Sequence, residues 1–437
     1  MSTSDDKYAA RLKAAEDALA GGQHELAVTE LTAAIFLKPS EARPYVMRGE
    51  ALTELCDFHS AIVNHRKALQ LTPQTAAERR ERTERLAELL DLRALSLMDD
   101  GAFDRSIELL SEAIALAPKT PSLPLHRALA HTGREAYEPA LRDLEACVAT
   151  GGASADVHFL RAKLSLLGRD LAAAREAADA ALELEPGHAQ AAELREAMTA
   201  CAAVYTEEST KLVLLGSPAE AVDNLTHAMA LSPDDASLRM RRGAAQRSLG
   251  ELDAAVADLE AAVEQAGGSY PAASRLLVLT YNDLGVQHAT RGRHEQALEW
   301  FDRAVEGGAA EVAPLVNRAD CQRACGRTPE ALRDYEAALE LCPHEPRERW
   351  RIQTRLAVVH NERGARLFNH ANPRHAAVEF SRAIECNPKV AHFYVNRAEA
   401  TLQLNRFELA RDDVLIALRL DPTDTRAQKM LSQLCPE

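Results

Sequence analysis

Residues 406–422 read RFELARDDVLIALRLDP, which sets Ala410, the large Val414, Ala417 and Pro422 at fixed offsets. The order of small residue, large residue three to four places on, alanine and proline recurs at Ala61, Ala68 and Pro73. It recurs again at Ala174, Ala181 and Pro186, and at Ala221, Ala228 and Pro233. A fixed period of this kind marks a supersecondary unit that cannot bury its apolar face alone and must stack on copies of itself. Aligned on the first small residue, eleven copies follow, at Ala27, Ala61, Ser106, Ala140, Ala174, Ala221, Ala255, Ala297, Ala331, Ala376 and Ala410. Seven residues on stand Ala34, Ala68, Ala113, Cys147, Ala181, Ala228, Ala262, Ala304, Ala338, Ala383 and Ala417.

A third small position lies upstream, as at Gly49, Ala94, Ala128, Ala162, Gly243, Gly285, Ala319, Gly364 and Ala398. Small residues at three recurrent places are what helices need in order to cross closely, both within one unit and between neighbours. Successive copies are 34 residues apart in six cases and 42 to 47 in the other four. The longer intervals insert helix-favouring sequence, such as AAERRERTERLAELLDLRALSLMDDG before the third copy and PRERWRIQTRLAVVHNERGARLF before the tenth. They predict four first helices lengthened by two to four turns, either projecting from the stack as partner contacts or bracing the neighbouring helix. Gly21-Gly22, Asp99-Asp100-Gly101, Gly250, Gly292 and Gly326 mark the tight turns between helices. The stretch TDTRAQKMLSQLCPE predicts a last single helix whose polar outer face caps the stack.

Composition agrees. Hydrophobic residues make up 46% of the 437 but aromatics only 4%, so the interior is expected to be built from Ala, Leu, Val and Ile. A formal net charge of -15 argues against nucleic acid or an anionic membrane as partner. The eight cysteines contain no CxxC or CxxH pairing, the reading expected of reduced thiols in a reducing compartment. No apolar run is long enough to span a bilayer, and MSTSDDKYAA lacks a leader's apolar core, so a soluble cytoplasmic protein is expected.

The repeat resembles the tetratricopeptide pattern A-x3-F…A…P. The fold expected is therefore all-α: a tetratricopeptide-repeat right-handed superhelical solenoid of about eleven helix-turn-helix units, with several lengthened helices and a C-terminal capping helix. It is expected as a single continuous solenoid over 1–437. Repeats fall at 8–41, 42–75, 87–120, 121–154, 155–188, 202–235, 236–269, 278–311, 312–345, 357–390 and 391–424, with the cap at 425–435. A narrower resemblance rests on TYNDLGVQHATRGRHEQALEWFDRAV, VNRADCQRACGRTPEALRDYEAALELCP, RPYVMRGEALTELCDF and DVHFLRAKLSLLGRDLAAAREAADAALELEPGHAQA. These are similar to the tetratricopeptide repeat protein 16 family, whose vertebrate members are associated with motile cilia and sperm flagella. The resemblance implies a scaffold in the cytoskeleton of the cilium or flagellum, with other axonemal proteins as partners and tubulin through local contacts. The rival expectation is a soluble co-chaperone or assembly factor that holds client peptides in its groove.

Arginine precedes the upstream small position in eight units, at Arg48, Arg93, Arg127, Arg161, Arg242, Arg318, Arg363 and Arg397. Facing the groove, these would form a cationic ladder for an acidic peptide, gripped by bidentate carboxylate contacts. Lying along a neighbouring helix, each would instead pair with a carboxylate of its own solenoid. Chaperone-tail clamps of this superfamily also use asparagine. Asn317-Arg318 and Asn396-Arg397 match the second clamp element, whereas the Gly-Asn step of the first is replaced by Gly285-Val286 and Gly364-Ala365. Cys321 and Cys325 lie one helical turn apart, and His288, His294, His360 and His370 share no short spacing with them, so no metal site is expected. No phosphate loop, G-x-S-x-G or H-E-x-x-H motif is present. No enzyme, cofactor or small-molecule substrate is expected.

Overall fold

The computed structural model of the protein describes residues 4–71, 75–308 and 311–434; Pro73 and Cys435 lie outside them. Among the described residues there are twenty-three helices and no strand. The chain divides into two compact units, residues 1–203 and 204–437. In the first, α1 (Ser4–Ala20) pairs with α2 (His24–Leu37), α3 (Ala42–Glu54) with α4 (Phe58–Gln70), and α5 (Ala76–Asp99) with α6 (Phe103–Leu116). Likewise α7 (Ser122–Gly133) pairs with α8 (Tyr137–Ala149) and α9 (Ala155–Leu167) with α10 (Leu171–Leu184). Helix α11 (Ala189–Leu214) contributes residues to both units.

In the second unit Tyr205 of α11 meets His227 of α12 (Pro218–Leu231), with ring centroids 5.4 Å apart. There follow the pairs α13 (Ala236–Leu249) with α14 (Leu252–Gln265), α15 (Pro271–Thr290) with α16 (His294–Glu306), and α17 (Val312–Ala324) with α18 (Thr328–Leu341). The last pairs are α19 (Pro346–Asn369) with α20 (Pro373–Cys386) and α21 (Ala391–Gln403) with α22 (Phe407–Leu420), and α23 (Thr425–Leu434) lies on α22. The odd-numbered helices to α21 are here termed A helices and the even-numbered B helices.

The small positions carry the packing. Every alanine of the two aligned columns is 0% exposed, as is Ser106, and Cys147 is 1% exposed. The upstream small residue meets the residue sixteen places on. A Cβ added to Gly285 would lie 2.4 Å from Phe301 Cε1, one on Gly364 2.7 Å from Phe380 Cδ1, and one on Gly243 2.8 Å from Leu259 Cγ. Glycine thus stands against Phe301, Phe380 and Leu259, whereas alanine has Leu110, Leu144, Tyr335 or Val414 sixteen places on.

The turn between A and B is the same in all eleven units. The residue five before the first aligned column is left-handed throughout, at Gly22, Cys56, Gly101, Glu135, Arg169, Gly216, Gly250, Gly292, Gly326, Ala371 and Asn405. The following amide reaches back five residues, as in Asp57 N to Leu52 O and Arg293 N to His288 O, each closing a Schellman-type end. Five of these turns use a residue with a Cβ, so glycine alone does not mark them in the sequence.

The four long A helices have 24, 26, 20 and 24 residues. Their added turns do not stand free along their whole length. Ile352 of α19 is buried with Tyr335, Ala338 and Cys342 of the α17–α18 pair, and Ala273 of α15 with Leu259 and Ala262 of α14. In α5, residues 76–81 are exposed, and from Arg82, which donates to Ala68 O, the helix lies on α4. Apolar residues on the added turns account for the bracing. No helix among the described residues is long and apolar enough to cross a membrane.

His65 takes the place that Phe301 and Phe380 fill elsewhere. It is 1% exposed, and neither ring nitrogen has a hydrogen-bond partner. Burial, reinforced by the nearby Arg85 and Arg82, pushes its pKa down to about 4 from 6.5. Between those values the unfolded chain holds a proton that the folded one refuses, so stability falls as pH drops through that window. His65→Phe is expected to abolish that part of the acid destabilisation, measured by denaturant melts at stepped pH. Gly285→Ala is expected to cost about 1–3 kcal/mol by overpacking against Phe301, and Gly285→Ala with Phe301→Leu to recover most of it.

Candidate functional site

The eight arginines were the first candidates for a groove, and five of them share one geometry. Arg127 of α7 donates from Nε and Nη2 to Asp143 of α8, at 2.9 and 2.6 Å, and from Nη1 to Ser111 of α6 at 3.0 Å. Arg242 makes the same bonds to Asp258, at 2.7 and 2.7 Å, and to Thr226, at 3.0 Å. Arg397 makes them to Asp413, at 2.8 and 2.6 Å, and to Ser381, at 3.0 Å. Arg318 grips Asp334 with two bonds of 2.7 Å and reaches Asp302 at 2.8 Å. In Arg48 the acceptors are the neutral Asn64, at 2.9 Å, and Thr32, at 3.1 Å.

Each of these arginines therefore leaves an A helix and ties together two consecutive B helices, through residues sixteen places before and sixteen after it. The aspartates are 4–7% exposed, which makes the bidentate contact a desolvated one. The bond to its aspartate raises the pKa of Arg242, Arg318 and Arg397, whereas burial beside neutral Asn64 lowers that of Arg48. The other three differ because their partner position differs. Sixteen residues after Arg93 and Arg161 stand Leu109 and Ala177, whose side chains accept nothing, and Arg93 donates to Ser96 at 3.4 Å. Arg363 lies 3.7 Å from Glu379, which also accepts from Arg382 at 3.0 Å and pairs with His360 Nδ1 at 2.8 Å.

Asn317 and Asn396, adjacent in sequence to two of these arginines, point to a different side. Asn317 Nδ2 donates to Asn282 Oδ1 on α15, and Asn396 Nδ2 to Asn361 Oδ1 on α19, each at 2.8 Å. Both bonds run from one A helix to the preceding one. Ion pairs continue this side: Arg247–Asp283 at 2.7 Å, Arg323–Glu362 at 2.9 Å, Arg355–Asp320 at 3.2 Å and Arg426–Glu399 at 2.5 Å. In the first unit, Arg43–Glu16 at 2.5 Å and His126–Asp91 at 2.7 Å play the same part. The candidate residues thus divide between a B-side ladder and an A-side ladder rather than meeting in one cluster. The spacing of sixteen from Arg127, Arg242, Arg318 and Arg397 to an aspartate was a signal in the sequence that pairing was to be expected.

Cys321 Sγ lies 3.9 Å from His294 Nδ1, and burial pushes the Cys321 thiol up to about 11. A protonated thiol is a poor nucleophile and a poor metal ligand. His288, His360 and His370 belong to other helices or turns, and among the described residues no cluster of three metal-ligating side chains forms. The seven described cysteines are unpaired.

Arg397→Ala leaves Asp413 buried without its partner and is expected to weaken α21 and α22 by about 2–3 kcal/mol, read as faster amide hydrogen exchange in those helices. Arg161→Ala, facing Ala177, is expected to change little.

The tetratricopeptide-repeat family model matches residues 212–271 and 361–425. The human protein named tetratricopeptide repeat protein 16 is 29% identical over 423 residues, covering 94% of this chain and 47% of its own length. The chain spans about half the length of the curated relatives of that name. The Hsp70-Hsp90 organizing protein 1 of Glycine max is 25% identical over 206 residues, covering 46% of this chain and 33% of that one. Among solved structures, the P58(IPK) TPR domain is 18% identical and covers 80% of this chain and 97% of that one. Its TM-score against this chain is 0.28. Helix pairs that repeat the same small contacts and the same left-handed turn make the fold a tetratricopeptide-repeat one, and in its sequence the chain is similar to proteins of that superfamily.

Proposed function

We propose that this chain is a non-enzymatic protein-interaction scaffold, a structural part of the axoneme of motile cilia or flagella. The observation that carries the scaffold reading is the double ladder of ties, arginine across B helices and asparagine or ion pairs across A helices. Within each compact unit such ties fix neighbouring repeats against one another, so the side chains left over are held at set spacings. A surface of that kind binds by shape and summed area, with little ordering cost. The cilium reading is supported by similarity to tetratricopeptide repeat protein 16 over nearly the whole chain. Partners on this reading are other axonemal proteins. The net charge of -15 makes acidic tubulin a partner through local contacts only.

The A-side ladder is the proposed contact face, with Asn317 and Asn396 on it and the arginines serving as its internal struts. A co-chaperone reading is favoured by the similarity to the Glycine max protein and by those two asparagines. It is weakened by Val286 and Ala365 in the places where a clamp needs asparagine, and by amide nitrogens already donating to Asn282 and Asn361.

The test is fractionation of a tagged copy in ciliated cells. Retention in axonemes after detergent and then high salt is the expected result. Release with the soluble matrix would sink the structural reading and promote the co-chaperone one. Client-peptide binding lost on Asn317→Ala in a chain that still folds would do the same.

A further inference from the structure

The chain contains an internal control for one groove. Glu295, in the first turn of α16, pairs with Arg327, just before α18, at 2.6 Å. Seventy-nine residues on, in the matching turns of α20 and α22, the same two positions are Arg374 and Arg406. Two like charges now occupy places that the earlier pair brings to contact distance, and both side chains are exposed. Among the described residues neither guanidinium has a carboxylate partner.

The floor between them changes in the same sense. Glu299 and Glu330 of the earlier pair become Val378 and Leu409, each about half exposed at 50% and 51%, flanked by Leu404 and Ile416. The result is a groove of 730 Å³ on the B-helix side, away from the A-side ladder. Of its charged lining, Arg397 and Asp413 neutralise each other, and Arg374 and Arg406 outnumber exposed Asp412. In a chain of net charge -15 this is a local excess of positive charge over an apolar floor.

We propose that this groove receives an acidic segment of a partner protein. One carboxylate of that segment bridges Arg374 and Arg406, in the role that Glu295 plays within the chain, and an adjacent apolar side chain covers Val378 and Leu409. A bridging carboxylate accepts two charge-assisted bonds and relieves the repulsion between the arginines. The apolar contact adds burial that a free anion cannot give. The reading is independent of the A-side contact face.

The test titrates the full chain with a short fluorescein-labelled peptide alternating leucine and glutamate, followed by anisotropy, beside a leucine–glutamine peptide. The leucine–glutamate peptide is expected to bind, more weakly as salt rises, and the glutamine peptide not to. Arg374→Glu restores the Glu–Arg pairing of α16 and α18. It is expected to lower affinity about tenfold or more while the melting temperature holds or rises, and Arg406→Glu should do the same. Equal binding of both peptides, undiminished binding by R374E and R406E, or no binding to the unaltered chain at millimolar peptide would each overturn the proposal.

Discussion

Close approach of helices at three small positions is the constraint on which the rest depends. Alanine at the two aligned columns, fully buried in every unit that has it, lets A, B and the next A lie close enough for their apolar faces to interlock. The third position is glycine where an added Cβ would strike Phe301, Phe380 or Leu259. One methyl group is therefore the margin at Gly285 and Gly364. His65 against Gly49 obeys the same steric rule, and the cost of its polarity appears as a base held neutral.

With the helices fixed at that distance, polar side chains at their flanks come within bonding reach of elements that are remote in sequence. Arg127, Arg242, Arg318 and Arg397 each find one aspartate and a second acceptor on the B helix before. Buried ion pairs are weak evidence of stability, but a bidentate pair that fits one register and no other can fix how units stack. Where that position holds Leu109 or Ala177 this tie is missing, and other pairs, such as Arg66 with Glu112 at 2.5 Å and Arg195 with Asp179 at 2.7 Å, link the neighbouring helices. The A side is tied by polar links of its own. Ties on both sides leave the repeats little freedom to slide, which suits a scaffold better than a clamp that closes on a client.

Function in such a protein follows from departures from the repeat. Positions that satisfy each other in one pair of units and fail to do so in another are the places where the chain lacks a partner of its own. Arg374 and Arg406 are such a departure, visible because Glu295 and Arg327 complete the same geometry within the chain.

By itself the sequence determined the helical repeat, the four lengthened helices and the terminal helix, because these follow from periodicity and small-residue spacing, which are local properties. The eleven turns were half legible. Six carry glycine, but Cys56, Glu135, Arg169, Ala371 and Asn405 adopt the same left-handed conformation because the helices on either side require it. Only the tertiary structure decided that Arg318 and Asn317, neighbours in sequence, serve opposite purposes. A step of one residue turns a helix by about 100°, so one side chain meets B helices and the other an A helix. Only the tertiary structure, too, decided that α5 is exposed over residues 76–81 whereas α19 lies on α18, since that depends on which apolar side chains find a surface to cover.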